Sequence, residues 1–228
     1  MALVRAAIYA SDFLRGQLAG DLCAVGPVAA ALTTAGAGTI TAAMIAGGVI
    51  RRSGPAAGFT DTWPTSEQIC AMLRSAPTQA DFAPGLGVIV RYINTVAQAN
   101  TMAVPSNEGI SLSTSVHSSV VNCAASKWRD YFLEMGSAPI ASVTVTGSTA
   151  NGTKKLALDT EAAAGTITAG MSVYGTGVGA SARVINLVYG VSGIKEVWVD
   201  TNSTADGANI VFTIKPTIII HSLGSGDI

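Results

Sequence analysis

The sequence predicts a mainly β fold: a β-sandwich or barrel-like domain with one short helix, into which a smaller β-domain is inserted. Short runs of β-branched and aromatic residues recur from residue 86 onward, at a spacing of roughly 8–12 residues. Glycine accounts for 25 of the 228 residues, and charged residues make up only 12%. Such a composition is typical of a folded chain whose surface consists largely of small residues in turns.

The first part of the chain is predicted to form an arm followed by a pair of strands. Residues 1–32 are rich in alanine and are expected to form an N-terminal arm or a short helix. Strand-like residues follow in "TIT" (39–41) and "VI" (49–50), and two glycines separate these two runs.

The single predicted helix lies in "TWPTSEQICAMLRSAP" (62–77). Thr65 can accept a hydrogen bond as its N-cap, and Gln68, three residues later, completes a capping box. Ile69 begins an apolar face that continues one helical turn later, and a proline at position 77 ends the helix.

From residue 86 onward the apolar residues alternate with polar ones. The longest alternating run is "KWRDYFLEM" (127–135). Trp128, Asp130, Phe132 and Glu134 share one face of this strand, because successive side chains in a strand point to opposite sides. Neither face is purely apolar, so one of them is expected to meet a partner. The other predicted runs are "LGVIVRYIN" (86–94), "TMAVP" (101–105), "ISLS" (110–113) and "SVVNCA" (119–124).

The amino-acid composition changes after residue 138, where a region rich in Thr, Gly and Val begins. A dense apolar strand then returns around residues 218–220, and it is expected to pair with the first sheet beside 127–135. The chain is therefore predicted to have a main β-domain, 33–138 and 214–228, interrupted by an inserted and projecting β-domain, 139–213.

Two similar segments lie one in each of these domains. "AGAGTITAAM" occupies residues 35–44 and "AAAGTITAGM" residues 162–171, with eight identical positions. The residues that follow them differ, so the pair is interpreted as a shared turn that leads into a β-branched strand, with partial duplication as the alternative.

Charge and cysteine content exclude several classes of function. The net charge is −1 and the chain has no basic block, so no nucleic-acid partner is expected. Cys23, Cys70 and Cys123 are widely spaced and include no CxxC pair. Buried free thiols are therefore predicted, with assembly in a reducing cytoplasm and no cofactor.

A membrane span is also not expected. Residues 23–50 carry no charge, but only eight of these 28 residues are Val, Ile, Leu or Met, and five are Gly. The N-terminal residues contain Asp12 and Arg15 where an export signal would need an unbroken apolar stretch.

No catalytic motif supports an enzyme. His117 lies among serines, but no G-x-S-x-G motif accompanies it. His221 follows three isoleucines and is expected at a strand end. The pair Asp130 and Glu134 could serve a glycosidase in principle, although the aromatic platforms of a sugar cleft are scarce.

Two glycine-containing loops resemble binding loops only in part. "DTNSTADG" (200–207) offers Asp200, Asn202 and Asp206 but lacks the bidentate glutamate of a calcium loop, so a simple turn is favoured. "GTGVG" (175–179) lacks the lysine and helix that follow a phosphate loop. Metal and phosphate sites are therefore not predicted.

A carbohydrate-binding module is the main competing interpretation. Tyr174, Tyr189 and Trp198 lie in the inserted region, and exposed aromatic residues on a β-sandwich can hold sugars. Packing within the sheet is the favoured role for them, since aromatic residues in strands are mostly buried.

Several segments together resemble a known family. They are "TTAGAGTITAAMIAGGVIRRSGPAAGFTDTWPTSEQI", "VIVRYINT", the strand from Trp128 to Leu133 and the closing "TIIIHSLGSG". With the helix start D-T-x-P-T and the closing T-I-x-x-x-S-L-G, they are similar to the capsid decoration, or cement, proteins of tailed bacteriophages. The resemblance covers roughly 33–136 and 215–226. "GMSVYGTGVGASARVINLV" is similar to a β-module of phage virion proteins, from which Val178 and Ala180 depart.

The resemblance implies a structural virion protein without catalytic residues. It implies a homotrimer bound to the major capsid protein on the outer surface of the phage head, with the inserted domain projecting outward and no membrane partner. A carbohydrate- or host-surface-binding fibre or adaptor module is the alternative. The candidate interface residues are Trp128, Asp130, Phe132, Arg51 and Arg52.

Overall fold

The computed structural model describes residues 29–75, 84–113, 122–138 and 141–228. Within these ranges the fold is mainly β, as predicted, and one of its sheets curls like a half barrel. The helices are α1 (Ala42–Ala46) and α2 (Ser66–Ser75). The strands are β1 (Ala30–Leu32), β2 (Val49–Arg52), β3 (Phe59–Thr62), β4 (Gly87–Asn94), β5 (Asn100–Ala103), β6 (Ile110–Leu112), β7 (Asn122–Cys123), β8 (Lys127–Met135), β9 (Val143–Thr149), β10 (Lys155–Ala162), β11 (Ser172–Tyr174), β12 (Val184–Tyr189), β13 (Ile194–Val199), β14 (Gly207–Lys215) and β15 (Ile218–Asp227).

The first sheet has six strands in the order β1-β2-β4-β8-β15-β6. The closing strand β15 lies antiparallel to β8, with Ile220 opposite Leu133 and His221 opposite Phe132. The predicted pairing of this strand with 127–135 is therefore confirmed. Because β1 belongs to the sheet, the last residues of the region predicted as an arm are part of the first sheet, whereas residues 1–28 lie outside the described part of the chain.

The inner face of the first sheet packs against both helices and against a small third sheet, β3-β5-β7. Ile45 of α1, Ile69 of α2 and Met102 of β5 are buried in this core. On the first sheet, Leu133 and Ile220 face them. The predicted capping box of α2 is confirmed: Gln68 N–H donates to Thr65 Oγ1 at 3.2 Å, and Thr65 N–H donates to Gln68 Oε1 at 3.0 Å.

The helix α1 differs from the prediction of a single helix. Thr41 caps it, because its hydroxyl accepts a hydrogen bond from the Met44 N–H. The "TIT" run before it contributes only an isolated bridge between Thr39 and Thr62. A five-residue helix is too short for a hydrophobic period to reveal, and burial of Ile45 in the core stabilises it instead.

An ion pair is enclosed beneath the first sheet. Arg52 and Asp61 are completely shielded from solvent, and Arg52 also donates to the backbone carbonyls of Leu32 and Thr34. Asp61 accepts a further hydrogen bond from the Tyr92 hydroxyl at 2.6 Å. Burial of Tyr92, together with this bond, raises its pKa far above the ordinary value. The network ties the segment before β2 to the core.

The second sheet has its own six strands in the order β11-β14-β9-β10-β13-β12. Its strands run from 143 to 215, two residues beyond the predicted end of the inserted region. They enclose a separate hydrophobic cluster that includes Leu156, Val197 and Phe212. Residues that precede and follow this region in sequence belong to the first sheet.

Polar contacts connect the two sheets where the chain passes between them. The Ser172 and Thr217 hydroxyl oxygens lie 2.6 Å apart, and Lys215 Nζ lies 2.6 Å from Glu108 Oε2. Tyr174 places its hydroxyl 3.0 Å from the backbone nitrogen of Gly109, which donates to it. These side chains form hydrogen bonds and an ion pair at the junction between the two sheets.

No helix among the described residues is both long and apolar enough to span a membrane.

Candidate functional site

The outward-facing side of the first sheet brings most of the predicted interface residues together. Along β8, Tyr131, Leu133 and Met135 are buried in the core, so the alternate residues point away from it. Strand register places residues of β2, β4 and β15 on the same side. We call this side the outer face; it comprises Val49, Arg51, Ile89, Arg91, Ile93, Trp128, Asp130, Phe132, Glu134, Ile219, His221, Gly224 and Gly226.

Arg91 and Asp130 form a two-pronged ion pair in the middle of the outer face. Arg91 Nε donates to Asp130 Oδ1 at 2.7 Å, and a second guanidinium nitrogen donates to Oδ2 at 2.8 Å. The hydrogen bond to Asp130 raises the pKa of Arg91. Bidentate geometry fixes the guanidinium plane, so this pair is more strongly oriented than an ordinary surface ion pair.

Trp128 is held between Arg91 and the backbone of β15. The guanidinium carbon of Arg91 lies 4.2 Å from the centroid of the Trp128 ring, which is a cation–π contact. A side-chain carbon at Gly226 would lie only 2.8 Å from two atoms of the same ring. Glycine at position 226 therefore leaves the space that the indole occupies, and contacts on both sides restrict the position of the ring.

Phe132, Glu134 and His221 form a second ordered group next to the first. His221 Nε2 lies 2.6 Å from Glu134 Oε2, and both side chains are about three-quarters buried. The ring centroids of Phe132 and His221 lie 5.9 Å apart. His221 lies inside β15 rather than at the strand end where the sequence placed it.

The side chains of the two adjacent arginines of β2 point to opposite faces of the sheet. Arg51 is exposed and shares a row across the sheet with Ile93 and Trp128. Arg52 points into the core, where Asp61 and backbone carbonyls occupy its guanidinium. The prediction of Arg52 as an interface residue is therefore wrong, because a strand cannot present two successive side chains on one face.

Sequence reasoning missed Arg91, His221 and Gly226 as parts of this face. Arg91 shares its strand face with Ile89 and Ile93, because alternate residues of a strand point to the same side. A charged residue at this position of the alternation was an available sign that this face meets solvent. The Glu134–His221 pair could not be found from sequence, since it depends on the register between strands 87 residues apart.

The predicted aromatic residues of the second sheet do not form one group. Tyr174 serves the junction between the sheets, whereas Tyr189 and Trp198 are 58% and 38% exposed. Trp198 lies in a row between Lys155 of β10 and Asn186 of β12. An indole flanked by an amine and an amide remains on this surface.

The loop residues considered for metal binding do not converge, and of the catalytic candidates, Glu134 and His221 are in contact. His117 lies outside the described residues. Asp200 Oδ1 accepts a hydrogen bond from the Arg183 N–H, and Asp206 Oδ1 accepts one from the Asn151 N–H, so each carboxylate binds a backbone amide of another segment. Within the described ranges, no group of three or more His, Cys, Asp and Glu side chains could hold a metal ion.

The cysteines that can be located agree with the prediction of buried free thiols. Cys70 and Cys123 are buried and are not joined in a disulfide bond, whereas Cys23 lies outside the described residues. Burial raises the pKa of Cys123 to about 11, which makes its thiol a poor nucleophile.

No family model matches the chain, and no curated protein matches it significantly. The outer face of the first sheet therefore provides the main structural basis for a functional proposal.

Proposed function

We propose that the protein is a non-enzymatic structural subunit that docks through its outer face onto the major capsid protein of a tailed-phage head and stabilises the head. The observation that carries this proposal is the cation–π contact of Trp128 with Arg91, with Phe132 on the same solvent-facing side of the sheet. Tryptophan and arginine are the residue types that most often dominate the energy of protein interfaces.

The internal pairing of charges on the outer face supports docking to a protein surface. The charge of Arg91 is matched by Asp130, and the Glu134 carboxylate lies within hydrogen-bonding distance of the His221 ring. Matched pairs lower the cost of removing these groups from water compared with single charges. Ile89, with 41% of its surface exposed, adds an apolar contact between the two pairs. Such a face fits a specific, largely neutral partner surface.

The resemblance to decoration proteins gives the partner and the arrangement in this proposal. A homotrimer would present three outer faces at once, so weak individual contacts could add up through multivalency. Binding that favours the assembled lattice over free subunits would stabilise the head by linkage. The second sheet would then project away from the shell.

Co-sedimentation with heads tests the proposal. Purified protein is mixed with expanded, empty heads assembled from the major capsid protein under test, and the bound fraction is measured against protein concentration. We expect saturable binding that Trp128→Ala weakens by about 2 kcal/mol, as for a central interface residue. Tyr189→Ala is the matched control, an exposed aromatic residue on the other sheet, and should bind like the wild type.

Two outcomes would contradict this function. The wild-type protein would remain in the supernatant at all concentrations, or Trp128→Ala and Tyr189→Ala would bind equally while circular dichroism shows both to be folded. Light scattering on the free protein adds a check of assembly, since the trimeric arrangement requires a mass of three chains.

A second candidate function is carbohydrate binding on the second sheet. The observation in its favour is the half-exposed Trp198 between Lys155 and Asn186, which offers a flat apolar ring beside hydrogen-bond donors and acceptors. A glycan array read with wild type and Trp198→Ala tests it. Signals that Trp198→Ala removes would support this function, and an array without signals would eliminate it.

A further inference from the structure

The second sheet contains a fork between two neighbouring strands. β9 and β10 pair only where Leu156, Ala157 and Leu158 face residues 147–149. Residues 143–146 of β9 continue to pair with β14 on their other side. Within 141–228, which is described without gaps, these four residues have no ladder partner on the side of β10.

The end of β10 is bent away from β9 and held there. Between Ala157 and Ala162, β10 advances five residues while its other neighbour, β13, advances two. Glu161, inside this bulge, accepts hydrogen bonds from the backbone nitrogens of Val191 and Ser192 and from the Ser192 hydroxyl. These hydrogen bonds attach the end of β10 to the turn between β12 and β13, on the side away from β9.

An open cavity of about 460 Å³ occupies the fork. Small apolar and hydroxyl side chains dominate its lining, and Glu161 is the only charged residue among the described residues that line it. This volume lies within the range of roughly 300–1,000 Å³ that is typical of ligand sites. The lining residues are Val143, Thr144, Val145, Thr146, Thr160, Glu161, Ala162, Ala163, Thr166 and Val211.

We propose that this fork is a binding site for an extended peptide strand of a partner protein, which pairs with the free side of β9 between Val143 and Thr146. Both walls of the cavity are strands, so a peptide backbone supplies the donors and acceptors that match them. Four residues of β9 span roughly 13 Å, which sets the length of the paired segment at about four residues.

The lining also defines the side chains of the peptide. Val145 and Ala162 are apolar parts of the lining that suit small β-branched residues, and Thr144 and Thr146 contribute hydroxyl groups to it. A basic residue fits at the end near Glu161, whose carboxylate is kept ionised because hydrogen bonds from Ser192 lower its pKa. This site lies on the second sheet and is independent of docking through the outer face.

Fluorescence anisotropy with a defined peptide tests the site. The probe is a fluorescein-labelled Lys-Val-Thr-Val-Thr peptide, titrated with the full-length protein. Ala163→Trp places a large side chain inside the cavity, and Ala164→Trp places the same side chain on the neighbouring exposed residue outside it. We expect Ala163→Trp to weaken binding about tenfold or more, and Ala164→Trp to bind like the wild type.

Two further comparisons sharpen this experiment. A peptide with N-methylated Val and Thr amides cannot pair with β9 and should not bind. Glu161→Gln should weaken the lysine peptide more than a peptide with norleucine in place of lysine. The proposal is overturned if wild-type protein gives no anisotropy change up to millimolar concentration, or if Ala163→Trp and Ala164→Trp bind equally. Thermal unfolding of each variant establishes that it is folded.

Discussion

Nε of Arg52 lies 2.9 Å from Oδ2 of Asp61, and neither side chain is exposed to solvent. The same guanidinium reaches the carbonyl oxygens of Leu32, Thr34, Gly36 and Ser53. One buried arginine therefore connects β2, β3 and the segment that follows β1.

Replacement of Arg52 should destabilise the fold strongly. Arg52→Ala leaves the Asp61 carboxylate buried without its cation, and loss of one partner of such a pair costs about 3–5 kcal/mol. Arg51→Ala, one residue earlier but exposed, should change the free energy of unfolding by less than about 0.5 kcal/mol. Urea unfolding followed by circular dichroism measures both, and equal midpoints for the two variants would contradict the structural role of Arg52.

A side chain at position 226 should displace Trp128. Gly226→Ala puts a carbon 2.8 Å from the indole, so the ring must move and lose its contact with Arg91. The expected loss of stability is about 0.5–1 kcal/mol, the strength of an exposed cation–π contact. Gly224→Ala is the control, because a carbon there meets nothing within 4 Å. The indole N–H signal of Trp128 in NMR spectra should shift in the first variant and stay in place in the second.

Glu161 should make the stability of the fold depend on pH in the acidic range. Hydrogen bonds from the Ser192 side chain and backbone lower the pKa of Glu161 below the ordinary value of 4.5. The native state therefore binds fewer protons than the unfolded state in this range, so the contribution of Glu161 is present above pH 4.5 and disappears as pH falls through the lowered pKa. Thermal midpoints of wild type and Glu161→Gln should differ at pH 6 and converge as the pH falls below the lowered pKa of Glu161. A difference that stays constant with pH would contradict the assignment.

Cys123 should resist alkylation in the folded protein. With a pKa of about 11, only about one thiol in a thousand is ionised at pH 8, and the side chain is fully buried. Iodoacetamide at pH 8 should therefore label Cys123 only after urea unfolds the chain. Peptide mass spectrometry separates this residue from Cys23 and Cys70. Rapid labelling of Cys123 in native buffer would disprove the environment described for it.

Local patterns in the sequence were sufficient for several elements. The Thr65–Gln68 capping box depends on residues three positions apart, and the structure confirms both hydrogen bonds. The alternation in 127–135 gave the correct faces of β8 because strand geometry fixes which side chains share a side. The closing strand was placed correctly because so apolar a segment needs a partner in a sheet.

Other features depend on residues that are distant in sequence. The same alternation could have placed Arg52 inside, since it shares parity with the buried Ile50, but only the fold supplies the counter-charge Asp61. The fork between β9 and β10 depends on a strand bulge and on the contact of Glu161 with a distant turn, neither of which has a sequence signature.

The two similar "GTIT" segments also differ from their prediction as turn-to-strand elements. Ile40 lies between a single bridge and α1, and Ile167 lies in a turn. Each isoleucine is nevertheless buried, the first in the core of the first sheet and the second in the core of the second sheet. What the segments share is an apolar anchor flanked by small residues.

The position of β15 between β8 and β6 makes completion of the first sheet depend on a strand that follows the second sheet in the chain. β15 is synthesised after the whole of 143–215, so the ribosome delivers every strand of the second sheet before the first sheet can join its two parts. A second sheet that has already folded brings its two ends together and shortens the effective loop that β8 and β15 must close. Substitutions that slow folding of the second sheet should therefore delay completion of the first, even where they touch none of its residues.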